Sequence, residues 1–546
     1  MLELMLALWM QAVAPGQGAG QPREVGSKVC AGCHKAIYDG YVKTGMARST
    51  GVVGADAHKE SFAAGVFRDE ALGVEYRVAA GKEGYTMRFA RAATGVRGER
   101  TLRWFVGSGL VGRSYLFQQD GFLFQAPVSY FSAVGQWALS PGYAGKQLMD
   151  IARPVETACL GCHASRLQAV AGTQNRYGEP PFLEGGVSCE RCHGAGERHV
   201  AARGRGGALG RDEIVNPAKL DAARRDSVCE QCHLTGAARV VKVGKSTSGF
   251  RPGEVLPEHL AVFVWSAGKG GERAATDHAE QMARSGCKRG AGEELACLSC
   301  HDPHVEPAAA EKAAFYRGRC QGCHERKPCT ESSARRAATG DDCAGCHMPK
   351  GRSQEGEHVA FTDHSVPRRA ARGSSAPKRE LVPYWPGAAT ERDTAIAYAG
   401  AGVDHAELRG RALDLMEKAV PGAANDAALL AQLAQYYDAL GQGERAQALY
   451  ERALKIDPEN VSAEANVAVY WAQRGRMAEA MAMWEKIAAR HPGMSSVAVN
   501  LAVAQYGAGQ AALAERTLER VLSFHPDLAV ARKLLGEIRA RGSGRR

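Results

Sequence analysis

Seven times in this chain two cysteines stand three residues apart with a histidine directly after the second. The pentads are Cys30-Ala-Gly-Cys33-His34, Cys159-Leu-Gly-Cys162-His163, Cys189-Glu-Arg-Cys192-His193, Cys229-Glu-Gln-Cys232-His233, Cys297-Leu-Ser-Cys300-His301, Cys320-Gln-Gly-Cys323-His324 and Cys343-Ala-Gly-Cys346-His347. Two cysteines in each of seven pentads account for fourteen of the sixteen in the chain. Zinc sites and thioredoxin-like dithiols use the Cys-x-x-Cys pair, but neither gives a reason for histidine in the next position every time. With 17 histidines in 546 residues, seven out of seven by chance has odds on the order of one in 10¹¹. Covalent haem attachment supplies the reason: two thiols add to the two vinyl groups, and the adjacent imidazole is held under the iron as an axial ligand. The expected cofactor is therefore haem c, seven copies. The fourteen cysteines attach it, and His34, His163, His193, His233, His301, His324 and His347 are the proximal ligands.

Residues 21–365 carry all seven pentads at roughly 50 residues each, about half a typical small domain. Insulated pockets cannot be built at that density, so the porphyrins must wall one another, and such contact favours electron hopping. Seven more histidines lie in this half and are the candidate distal ligands: His58, His199, His259, His278, His304, His358 and His364. His199 follows His193 by six residues, too near to reach the far face of its own haem comfortably, so it is expected to serve a neighbour. His304, in "CHDPH", is placed likewise. The bland alternative for each is a surface or propionate-bonding histidine. Met46, in "YVKTGMARST", is a candidate ligand of the first haem, where a thioether would raise the potential, or else a core methionine. Cys287 and Cys329 fall outside the pentads and read as a mutual disulfide in an oxidising compartment, or as two buried free thiols.

The start, "MLELMLALWMQAVAPGQGAGQP", has an apolar run followed by small residues, and residues 1–20 read as a signal peptide. It departs from the usual form in having Glu3 and no basic residue before the run. Haem attachment to such pentads belongs outside the bacterial cytoplasm, so the expected location is periplasmic or secreted. The run is too short to span a bilayer, and no later stretch qualifies. The formal charge of +10 could point to nucleic acid, but each ferric haem with two ionised propionates brings about −1, which nearly cancels it. Nucleic acid is therefore not an expected partner.

The expected fold is mainly α: a haem-packed cytochrome core over 21–365 with a small antiparallel β insertion, then an α-solenoid. Within the core, 61–143 alternates with period two ("VEYRVAA", "YTMRFARA") and has an Asp120-Gly121 hairpin turn. Residues 366–392 are basic, Pro-rich and without period, and read as a linker. From 393 to 546 the chain repeats. Pro458, Pro492 and Pro526 are 34 residues apart, and Leu430, Leu433, Ala434, Tyr437, Ala446, Tyr450 and Ala453 fill the positions of a tetratricopeptide repeat. Ala412 to Val420 looks like half of an earlier repeat, and Leu528 to Ala540 like a capping helix. The array is expected to dock a protein partner.

"CERCHGAGERHV", "VCEQCHLTG", "CLSCHDPH", "CAGCHMPK" and "FTDHSVPRR" resemble the multihaem c-type cytochromes related to cytochrome c554. The likeness is closest to bacterial members with C-terminal tetratricopeptide repeats. It implies stacked haem pairs, mostly bis-histidine iron, and an electron-carrier role alongside nitrogen-oxidising enzymes. Relatives commonly carry a histidine where this chain has Met46. The superfamily also holds hydroxylamine-oxidising, nitrite-reducing and tetrathionate-reducing enzymes, which often mark the catalytic haem by Cys-x-x-Cys-Lys or a tyrosine crosslink. This chain has only Cys-x-x-Cys-His. The favoured reading is a carrier between redox partner proteins. The alternative is an oxidoreductase acting on a small nitrogen or sulfur compound at one open haem.

Overall fold

The computed structural model describes residues 22–55, 60–62, 65–82, 84–146, 149–204, 214–266, 277–325, 329–352, 360–368 and 380–543. The period-two stretches form two antiparallel sheets. Strands Gly65–Asp69, Val74–Gly81, Gly84–Arg91 and Val96–Leu102 make one four-stranded meander. In its second strand Val74, Tyr76 and Val78 are buried while Arg77 and Ala79 face out, as a half-buried strand requires. The other sheet orders Thr50–Val52, Trp104–Val106, Arg113–Gln119, Phe122–Phe131 and Arg153–Pro154, with Gln136–Leu139 paired to the long strand. Asp120 and Gly121 turn between strands with φ of 54° and 83°, the doubly positive geometry of a two-residue hairpin. The module is wider than 61–143, because Thr50–Val52 and Arg153–Pro154 supply its outer strands.

Around the pentads the elements are short. A second hairpin, Ala164–Ala169 with Tyr177–Gly185, separates the second and third pentads. Beyond the fourth, Ala238–Val241 pairs with Leu260–Trp265, and that strand pairs in turn with Leu381–Pro383. The stretch 366–392 is thus not linker throughout. Leu381 is buried against Tyr398, whose hydroxyl accepts from the Leu381 N–H, and Tyr384 reaches Glu230 inside the fourth pentad at 3.3 Å.

The repeats form antiparallel helix pairs: Ala427–Ala439 with Gly443–Ile456, Val461–Gln473 with Met477–Arg490, and Ser495–Gly507 with Ala511–Phe524, closed by Ala529–Ser543. Leu430, Leu433, Ala434 and Tyr437 are buried with Ala446, Tyr450 and Ala453, the small-against-large packing read from the repeat. The half-repeat at Arg409–Ala419 finds its partner in Glu391–Asp404.

The array is fastened to the body at both ends. At its start Ala395 and Tyr398 share a core with Val240, Ala261 and Phe263, and Lys242 Nζ meets Asp393 at 2.6 Å. At its far end Phe524 enters the core of the β module, 5.5 Å from Phe124, and Asp527 pairs with Arg91. Between these, Glu459 lies against Gly172 and Gly493 against Phe124. Glu459, Gly493 and Asp527 are equivalent positions of successive 34-residue repeats, so the same turn of three repeats approaches the body. The array is a strap rather than an arm on a free linker. No helix among the described residues is long and apolar enough to cross a membrane.

Candidate metal centre

Each pentad sits on or beside a short helix, and helical spacing explains its chemistry. Residues i, i+3 and i+4 share one face of a helical turn, so two thiols and an imidazole point the same way. The turns are closed by N–H bonds from His34 to the Cys30 carbonyl (2.9 Å), His193 to Cys189 (3.0 Å) and His301 to Cys297 (2.9 Å).

The structure then brings histidines that are distant in sequence into facing pairs. His34 faces His199 with ring centres 6.4 Å apart and planes 21° apart; His193 faces His304 at 6.0 Å and 12°; His301 faces His364 at 6.2 Å and 29°. Near-parallel rings in direct contact would be closer, at about 3.5–4 Å between atoms. An imidazole nitrogen lies about 2 Å from a metal it ligates, so two rings on opposite sides of one ion stand about 6 Å apart between centres. These three pairs fit that separation. His233 and His278 are nearer, at 5.1 Å with their Nδ1 atoms 3.0 Å apart, and His278 also lies 4.4 Å from His364.

Several rings are oriented from behind. Carbonyls of Val215, Thr362 and Pro367 lie 2.7, 2.8 and 3.1 Å from Nδ1 of His193, His364 and His347. Such backing fixes the tautomer and leaves Nε2 as the ligating atom. Burial holds His163, His193, His301 and His364 below the usual histidine value. Burial first, and neighbouring imidazoles second, push His233 down to about 4 and His278 to about 3. All are therefore neutral at pH 7, the form that binds metal. Among the described residues no group of three or more His, Cys, Asp or Glu converges to hold a bare ion. A macrocycle that carries its own equatorial donors needs only the two axial imidazoles found here, so the donor set fits haem.

Not every candidate is brought to a pentad. His259 is held by Glu254 (3.1 Å) and packs edge-on to Phe250, so its role is local. His58 and His358 lie outside the described residues. No imidazole among the described residues faces His163, His324 or His347. Met46 does not hold the position opposite His34, which His199 takes. The turn bearing Met46 is drawn elsewhere: its carbonyl accepts from Val187 N at 3.0 Å and from Ser49 Oγ at 2.8 Å, and that hydroxyl also bonds the His163 carbonyl at 2.9 Å. The expected disulfide is likewise absent, with Cys287 and Cys329 both free. Cys287 lies by Cys300 and Cys320, whereas Cys329 lies by Cys343.

What the sequence did not reveal is how the pentads meet. Thiols of different pentads lie within interaction range of each other: Cys30 with Cys189, Cys162 with Cys232, and Cys229 with Cys297. Glu190, inside the third pentad, accepts N–H bonds from Val25, Gly26 and Gly196 at 2.7–2.8 Å and so anchors the helix of the first. A carboxylate between two cysteines gives no signal of that reach.

Two family models match the chain. The model for cytochrome c554 and c-prime matches residues 138–194, which contain the second and third pentads, and the tetratricopeptide repeat model matches residues 472–538. The first points to electron transfer and the second to protein interaction. No curated protein matches. Among solved structures, MamA AMB-1 is 23% identical over 28% of this chain and 81% of its own, with a TM-score of 0.25. MamA from Desulfovibrio magneticus RS-1 is 17% identical over 28% of this chain and 87% of its own, with a TM-score of 0.26. The chain thus joins a cytochrome c554-like segment to a helical repeat array.

Proposed function

We propose that this chain is a seven-haem c-type cytochrome of the periplasm that relays electrons between redox partner proteins, one of them met by the repeat array. The observation that carries this reading is the set of three imidazole pairs, each joining a pentad histidine to a histidine outside the pentads at 6.0–6.4 Å. Bound haem supplies a reversible one-electron centre whose potential the axial ligands set. The chain's own residues do the rest. His199, His304 and His364 cap His34, His193 and His301, while the Val215 and Thr362 carbonyls hold two of these rings in place. The neighbouring thiols of the first and third, second and fourth, and fourth and fifth pentads keep those centres close, which short-range electron transfer needs.

The test is mass spectrometry of mature protein together with electron paramagnetic resonance of its oxidised form. Seven haem masses and dominant low-spin ferric signals are expected; bound zinc, or fewer than six haems in fully matured protein, would overturn the reading. A second reading has one observation in its favour. No imidazole among the described residues faces His163, His324 or His347, so the second, sixth and seventh centres are the places where a small nitrogen or sulfur compound could bind. A high-spin signal that nitrite or hydroxylamine abolishes would favour that oxidoreductase reading over a pure carrier.

A further inference from the structure

The second, third and fourth pentads are tied together by residues that covalent attachment leaves free to vary. Arg191, between Cys189 and Cys192, donates through Nη2 to the Gly161 carbonyl at 2.9 Å and to Gln231 Oε1 at 3.0 Å. Gly161 lies inside the second pentad and Gln231 inside the fourth. Gln231, itself buried, returns a bond from Nε2 to the Arg191 carbonyl at 3.1 Å and gives another to Val228 at 2.8 Å. Its own carbonyl accepts from Arg239 Nη2 at 3.1 Å and lies 3.9 Å from Cys162 Sγ. Cys162, Cys192 and Cys232, one thiol from each of the three pentads, stand within electrostatic reach of the same guanidinium. Haem attachment does not ask for this. The first, second, fifth and seventh pentads place only small or apolar residues between their cysteines.

We propose that Arg191 is a positioning residue that locks the second, third and fourth redox centres into one group and raises their reduction potentials together. The proposal rests on the haem c reading above. A guanidinium is always charged, and its planar fork can serve two acceptors at once. A fixed positive charge favours the state that carries one more electron. At short range in a partly buried setting it changes the reduced-to-oxidised ratio of a one-electron centre about tenfold, equivalent to about 59 mV.

Three variants of the full-length protein separate charge from shape. Arg191→Gln removes the charge. Gln231→Glu keeps an acceptor for the guanidinium but makes it a carboxylate, at the loss of the Nε2 bonds to the Arg191 and Val228 carbonyls. Arg191→Lys keeps the charge and loses the fork. Haem content by mass comes first: seven haems in the parent protein uphold the haem reading, whatever the variants then do. In potentiometric titration, Arg191→Gln and Gln231→Glu should each shift three of the seven centres about tenfold toward the oxidised form and leave four in place. Arg191→Lys should keep those potentials but weaken the magnetic interaction among the three centres. Titrations of Arg191→Gln and Gln231→Glu that overlay the parent, with all haems attached, would overturn the proposal. So would a uniform shift of all seven centres. If Arg191→Gln loses haem, Gln231→Glu decides on the same criterion.

Discussion

Between Gly286 and Glu380 no residue whose exposure is described is more than partly enclosed, and the helix Lys312–His324 has no buried side chain along its 13 residues. Between Glu391 and Ser543 the helices share continuous cores, with Leu430, Tyr450, Leu518 and Phe524 fully enclosed. Both regions are helical, but only one holds its helices by packing side chain on side chain. An isolated helix of about 13 residues is marginal in water, so the first region must be held by something other than its own chain. The three pentads within it name the candidate. In the array the apolar core is written into the sequence; on the seven-haem reading proposed above, the core of the fifth-to-seventh pentad region would be the cofactor, with the sequence supplying its anchors.

The sharpest way to break that comparison is to withhold haem from one region. Changing Cys297, Cys300, Cys320, Cys323, Cys343 and Cys346 to alanine should leave 286–352 open to complete cleavage in limited proteolysis, while 391–543 resists under the same conditions. Equal resistance of both stretches would show that the pentad region folds on its own contacts.

A second test falls where the array meets the β module. Phe524, the last residue of Ala511–Phe524, is fully buried in the core of the β module against Phe124. Truncation to alanine should cost about 3–5 kcal/mol, the usual range for a buried aromatic. Because the contact fastens the strap, the loss should appear in denaturant unfolding of the β module as well as of the array. A loss confined to the array would mean that the strap and the body unfold separately.

Legibility followed distance along the chain. The pentads, the Asp120-Gly121 turn and the 34-residue period are local patterns, and each was readable as letters. The pairing of His199 with His34, or of His304 with His193, depends on tertiary placement, so the sequence offered the candidates without the partners. The methionine offered for the first pentad, Met46, is close to His34 in sequence, but its turn is tied through Ser49 to the second pentad. Leu381–Pro383 escaped notice because a three-residue apolar run between prolines carries no period. The strap escaped for a related reason. Phe524, Gly493 and Glu459 satisfy the repeat pattern whether or not they also touch another domain.

The smallest effect lies inside the array and tests how dry its packed interior is. His491 is buried at the end of Met477–Arg490, and neither ring nitrogen has a hydrogen-bond partner. Burial first, and the adjacent Arg490 second, push it down to about 4, against the opposing pull of the buried Glu464. The folded form therefore keeps this ring neutral where the unfolded chain would protonate it. Below pH 6.5 the unfolded state binds the extra proton, so stability falls as pH falls toward 4 and is fully retained above pH 7. The contribution lost by pH 5.5 is about 1 kcal/mol. Other buried histidines act in the same direction, so the measurement is a difference. His491→Leu should flatten the dependence of unfolding free energy on pH between 7 and 5.5 by that amount, with the two proteins compared at each pH. An unchanged slope would mean that water reaches the ring and that this part of the array breathes.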